Sequence, residues 1–192
     1  MKLEHAHLIA ESLKSELAPF CKRIEIGGSI RRKKPEPKDI ELVAIPKFAE
    51  VGTGQATLFG GEIMVTENLL FGYLTSKSEY SIERIGGKYC QFCKWYESED
   101  EVGHIKIDLF TATKQTWGYI FLIRTGPWEF SRWVVMELER RGFTPEGGAI
   151  WAMTNRSILE QCDTLTEERV FRMLGIDYID PSLRQKFMET IV

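Results

Sequence analysis

Three carboxylates, one serine and a run of basic residues define the chemistry this chain could do. Asp39 and Glu41 stand two apart at the head of an apolar, β-branched run that reaches Ile45. On a strand that spacing points both carboxylates to one face. Two hard oxygen ligands on one face suit Mg²⁺, which keeps some waters and completes its shell from substrate phosphates. Ten residues before Asp39 lies Gly27-Gly28-Ser29, followed by Arg31, Arg32, Lys33 and Lys34. The glycines permit a close backbone approach or positive φ. The backbone N–H groups and the Ser29 hydroxyl suit phosphate oxygens. Arg31 and Arg32 could add charge-assisted hydrogen bonds to the same anion. A third carboxylate, Asp108, follows Lys106 in a second β-type run, His104 to Phe110.

Each fragment alone is common: Gly-Gly-Ser is often only a turn, Asp-x-Glu occurs widely, and a basic run usually faces water. The ordered set is more specific, and it favours a three-carboxylate metal site.

The elements that must position these residues follow from periodicity. Ala6, Ile9, Ala10, Leu13 and Leu17 have helical spacing, which predicts a helix over residues 3–18, stopped by Pro19. Arg23 to Ile26 and Asp39 to Ile45 read as strands. On the second strand Ile40, Leu42 and Ala44 form one face, and Asp39, Glu41, Val43 and Ile45 the other. Residues 46–62, rich in glycine, read as an exposed connection. Thr66 reads as the N-cap of a helix through Leu74, and residues 75–87 as a polar segment. Lys88–Tyr96 and His104–Phe110 read as strands joined by a turn at Ser98 to Gly103. Beyond Thr113 the pattern is helical: Thr116–Arg124, then Trp128–Arg141 closed by Gly142. The tryptophans are expected between the two lobes. A hairpin over 142–150 follows, then a capping box at Thr164 to Glu167 and a final helix with Pro181 at its first position. The fold class is α+β: a mixed or antiparallel sheet with flanking helices over residues 1–112, and a small, mostly helical lobe over 113–192. Ligands favour the cleft between such lobes.

Composition bounds the partners. The chain has 192 residues, 43% hydrophobic, with a formal net charge of −3, so a nucleic-acid partner must be met by local charge. Lys22 to Lys38 holds seven basic residues against Glu25 and Glu36, and reads as one patch. No apolar run is long enough to span a membrane, and Met-Lys-Leu-Glu-His-Ala-His is not a signal peptide. The expectation is a soluble, cytoplasmic protein with reduced thiols. Cys90-Gln-Phe-Cys93 has zinc-knuckle spacing, but on a strand those positions face opposite ways, and no second pair accompanies them.

Taken together, Gly28-Ser29, Arg31-Arg32, Asp39-x-Glu41 and Lys106-Ile-Asp108-Leu-Phe110 resemble the nucleotidyltransferase superfamily. Trp117-Gly118, Thr125-Gly126 with Phe130, and the ending from Glu167 through Gly175 to Pro181 and Arg184 narrow the likeness to the family X DNA polymerases, the DNA polymerase β type. The likeness runs from about residue 20 to 185, without the lyase domain or helix-hairpin-helix lobe of longer members, as in the small viral polymerases of the family.

The resemblance implies a nucleotidyltransferase palm and a nucleotide-binding lobe. It implies two Mg²⁺ ions, or Mn²⁺, held by Asp39, Glu41 and Asp108. Asp39 and Glu41 would bridge both ions, and Asp108 would serve the one that activates a 3′-hydroxyl. Gly28, Ser29 and Arg32 would bind the triphosphate of a nucleoside triphosphate, and Gly126 would mark the bend beside its sugar. Lys33, Lys34, Arg124 and Arg132 would contact DNA. The implied activity is gap-filling or repair synthesis, with untemplated or non-DNA-acceptor transfer as the alternative. This chain departs from the family at four places. Glu41 stands for Asp, Ile123-Arg124 for an aromatic pair, Ser131 for Asn and Val135 for Arg, so sugar choice, fidelity and template dependence are not implied.

Overall fold

The computed structural model describes residues 1–56, 62–97, 102–154 and 159–191. Helix α1 (Leu3–Leu17) buries Ala6, Ala10, Leu13 and Leu17, the predicted stripe, and gives way at Pro19 to a 3₁₀ turn. Strand β1 (Cys21–Ile26) leads into the single-turn helix α2 (Gly28–Arg31), and β2 (Asp39–Pro46) carries the first two carboxylates. Strands β3 (Phe48–Ala56) and β4 (Glu62–Asn68) pair as a separate ribbon before α3 (Leu69–Ser76). Strands β5 (Tyr80–Gly86), β6 (Tyr89–Glu97) and β7 (Val102–Thr111) complete the main sheet. Helices α4 (Trp117–Thr125) and α5 (Trp128–Arg140) follow. Then come β8 (Phe143–Glu146), β9 (Ala149–Met153), β10 (Leu159–Gln161), α6 (Glu167–Met173) and α7 (Arg184–Ile191).

The main sheet is mixed, in the order β1-β2-β7-β6-β5. Only β2 and β7 run parallel; the other neighbours are antiparallel. The protein is therefore α+β. One face of the sheet is covered by α1 and α3. There Ile40, Leu42 and Ala44 of β2 meet Ile105, Ile107 and Leu109 of β7, with Cys90 and Phe92 of β6. The other face is polar where β2 begins and apolar farther along, where Val43 packs with Ala112, Trp117 and Phe121. A second large cluster, around Phe130, Val134, Leu138, Val170 and Phe171, lies wholly within residues 119–188.

Several expectations fail for local reasons. The connection at 46–62 contains strands, because main-chain pairing from Phe48↔Asn68 to Gly52↔Met64 needs no buried face; residues 57–61 lie outside the described ones. The α3 cap is Asn68, whose side chain accepts from the N–H groups of Leu70 and Phe71, while Thr66 sits in β4. The polar segment 75–87 holds the edge strand β5, whose Tyr80 is buried against Phe92. Most of the expected turn at Ser98 to Gly103 lies outside the described residues. Thr164 does not cap α6; it is buried, and its hydroxyl donates to the Gln115 carbonyl. The tryptophans do not share one place: Trp117 is buried between the lobes, whereas Trp95 and Trp128 are exposed. Cys90 is buried in the core, and Cys93 points to the other face, donating to Glu83.

Candidate active site

The parallel pairing of β2 with β7 fixes the carboxylates. Asp39 lies opposite Lys106 and Glu41 opposite Asp108. Directly paired residues share a face, so all three carboxylates stand on the polar face, away from α1 and α3. The strand-side prediction for Asp39, Glu41 and Asp108 is met. The neighbouring β6 adds two residues that periodicity alone did not single out. Tyr89 donates its hydroxyl proton to Asp108 Oδ1, and Gln91 Nε2 donates to the same oxygen at 2.8 Å. Lys106 Nζ lies 3.7 Å from Asp39 Oδ2 and 3.5 Å from Asp108 Oδ2.

The chain enters this face from β1. The Gly27 N–H donates to the Glu41 carbonyl at 2.8 Å, which ties the Gly-Gly-Ser turn to the carboxylate strand. Gly28 has φ of +58°, and a Cβ built there would overlap the Glu41 carboxylate. The close approach that needs glycine is therefore to a side chain of the site itself. Gly28→Ala is expected to cost about 1–2 kcal/mol for the left-handed backbone alone, and to displace Glu41. A urea melt, together with any activity assay, checks it: stability falls and activity falls further than the loss of folded protein accounts for.

The two arginines after Ser29 part ways. Arg32 lines the cleft, where Glu41 and Asp39 are the carboxylates that act on its charge most, and it donates to the Thr125 carbonyl. Arg31 turns inward instead. Its guanidinium lies 3.9 Å over the Phe121 ring, and it donates to Thr125 Oγ1 at 2.8 Å and to both carboxylate oxygens of Glu167 at 2.8 and 2.5 Å. Arg31 is thus an internal tie between α2, α4 and α6, not an anion ligand. The rest of the expected basic patch is dispersed as well. Lys34 and Lys38 line the candidate cavity, Lys22 lines another, and Arg23 covers the Trp117 ring.

Ser29, Arg32, Lys34, Lys38, Asp39 and Glu41 line one side of a cavity of about 430 Å³, and residues between Ile123 and Ser131 line the other. That volume lies within the usual range for small-molecule sites. Gly126, at φ of +65°, brings its backbone against Arg32. Arg124 lines the same cavity with its guanidinium 3.9 Å over the Phe110 ring, and it is also exposed. Lys33 is exposed, and Arg132 is exposed beside Trp128. A larger cavity, about 660 Å³, lies at the far ends of β2 and β7. Among the described residues its lining contains a single carboxylate, Glu146.

No protein-family model matches the chain, and no curated protein matches it significantly.

The donor set fits divalent cations in chemistry. Glu41 is pushed up to about 7 by burial and by the charge of Asp39, with Asp108 adding to it against Arg32 and Arg124. Ser29 Oγ is buried on the cavity wall with no hydrogen-bond partner among the described residues. The shell is not preassembled: among the described residues no three His, Cys, Asp or Glu side chains converge on one point. Lys106 stands between two of the carboxylates instead, on a half-exposed, flexible stem that can swing aside.

The Glu41 shift has a consequence for stability. Between pH 4.5 and 7 the folded protein keeps a proton on Glu41 that the unfolded chain has released. Stability therefore falls as pH rises through that window, by on the order of 2 kcal/mol. Thermal melts in chelator between pH 4.5 and 7.5 check this, and Glu41→Gln is expected to flatten the slope.

Proposed function

We propose that this protein is a metal-dependent nucleotidyltransferase of the DNA polymerase X kind. It transfers a nucleotidyl group from a (deoxy)nucleoside triphosphate to a 3′-hydroxyl, in gap filling or repair. On this reading residues 1–112 are the palm and residues 113–192 the nucleotide-binding lobe. The observation that carries it is the β2/β7 register. It puts Asp39, Glu41 and Asp108 on one face beside the Gly-Gly-Ser turn, and two of the three, Asp39 and Glu41, line a cavity with Arg32 and with Ser29, whose hydroxyl has no partner among the described residues.

Ser29, Arg32 and Lys34 would grip the phosphates, the arginine by charge-assisted hydrogen bonds and the lysine as a point charge. Gly126 would admit the sugar. Glu41, under Gly28 and partly removed from water, would present its carboxylate in a medium where each charge acts more strongly. Tyr89 and Gln91 would hold Asp108 in orientation. Asp39, Glu41 and Asp108 would hold two Mg²⁺ or Mn²⁺ ions, which supply Lewis-acid polarisation of the phosphoryl group and a more acidic 3′-hydroxyl. The 3′-oxygen attacks the α-phosphorus and pyrophosphate leaves. DNA would lie along Lys33 and Arg132, which are exposed outside the cavity.

The dispersal of the basic run favours keeping a second reading: the same transfer without a template, or to a non-DNA acceptor. A one-nucleotide-gapped duplex offered each nucleotide singly separates them. Insertion of only the complementary nucleotide supports the first reading. Insertion of any nucleotide, or of none while another hydroxyl is modified, supports the second. Among the described residues no helix is long and apolar enough to cross a membrane.

A further inference from the structure

Trp128 is 68% exposed, yet it is not a stray surface residue. It lines the cavity that holds Ser29, Arg32, Asp39 and Glu41, and among the described residues lining that cavity it is the only aromatic one. The remaining lining is cationic, carboxylate, hydroxyl, glycine or a single isoleucine. A nucleotide has two unlike ends, a polyanion and a flat π surface. The cationic side chains suit the first. Only Trp128 offers a flat apolar face to the second.

Its placement is firm. Trp128 is the first residue of α5, a 13-residue helix. Two residues on, Phe130 is fully buried among Trp133, Phe171 and Phe187. The corner before it is pinned by Ser131 Oγ, which donates to the Ile123 carbonyl at 2.8 Å. Arg132, one turn along, places its guanidinium 5.5 Å from the indole centroid, a cation–π contact that steadies the ring.

We infer that Trp128 is the stacking platform for the base of the incoming nucleoside triphosphate. This rests on the proposed function and adds a residue that sets affinity and base preference. Stacking on an aromatic side chain tolerates any base, because every base has a π face. The larger ring of a purine gains more, so purine triphosphates bind more tightly than pyrimidine ones.

The test is equilibrium binding of each nucleoside triphosphate, and of inorganic triphosphate, to the protein with Mg²⁺, first free of DNA and then with template DNA. Wild type is set beside Trp128→Ala and Trp128→Phe. Trp128→Ala is expected to weaken nucleotide binding by about tenfold or more, to narrow the purine preference and to leave inorganic triphosphate unchanged. Trp128→Phe is expected to retain most of the affinity. Nucleotide affinity unchanged in Trp128→Ala overturns the inference, as does a loss seen only when template DNA is present, which would assign the ring to the template strand. In both cases the proposed function stands. Failure of wild type to bind either nucleotide or triphosphate overturns both.

Discussion

Asp108→Asn lowers nucleotidyl transfer by about a thousandfold or more and leaves nucleotide binding within a few-fold of wild type. That is the expectation if Asp108 serves the reacting 3′-hydroxyl and not the triphosphate. A lost metal contact removes several kcal/mol of transition-state stabilisation, and each 1.36 kcal/mol is a factor of ten in rate. Asparagine is the informative replacement because it keeps the shape. One acceptor oxygen remains for Tyr89 and Gln91, which both donate to Oδ1, while the charge facing Lys106 at 3.5 Å is lost. Single-turnover rates and nucleotide titrations on the same preparation separate the two effects. A rate within tenfold of wild type would remove Asp108 from the machinery.

Glu167→Gln is expected to cost the most stability. Glu167 is buried between two guanidiniums. Arg31 holds it through both oxygens, and Arg184 Nη2 donates to Oε1 at 2.9 Å. Arg184 is fully buried among the rings of Phe130 and Phe171, and its Nη1 finds no partner among the described residues. Without the carboxylate charge, two cations face each other out of water. Breaking such a buried network costs about 3–5 kcal/mol, roughly 10 °C in Tm for a chain of this size. Replacing Arg31, Glu167 and Arg184 together by Met, Leu and Met is expected to recover much of that loss, because the penalty lies in the unpaired charge. A thermal melt that moves by less than about 2 °C for Glu167→Gln would show that the network contributes little.

The two carboxylate strands were legible because each alternates between a buried and a polar face, whereas the edge strand β5, in which only Tyr80 is fully buried, was not. Alternation in Asp39–Ile45 and His104–Phe110 named both the core side and the carboxylate side, and the register of β2 with β7 then brought Glu41 to Asp108. The β3/β4 ribbon was not legible. It is held by main-chain pairing, with Phe48, Met64 and Val65 exposed, so it carries no alternation to read. Arg31 and Arg32 are chemically identical neighbours, and only the tertiary position of Glu167, 136 residues away, decides which one turns inward. Thr164 and Glu167 have the spacing of a capping box. Burial of Thr164 against Gln115 and the pull of two arginines on Glu167 override that local preference. Tyr89 and Gln91 were hidden for a simpler reason: their importance depends on which strand lies beside β7.

The central claim is nucleotidyl transfer at the Asp39, Glu41 and Asp108 face. The most direct test follows extension of a 3′-end and release of pyrophosphate in one reaction, with Mg²⁺ and then with excess chelator. The account predicts one pyrophosphate per nucleotide added by the wild-type protein, and neither product in chelator. Extension that continues undiminished in chelator, or no transfer to a DNA, protein or small-molecule hydroxyl in the presence of Mg²⁺, would contradict it.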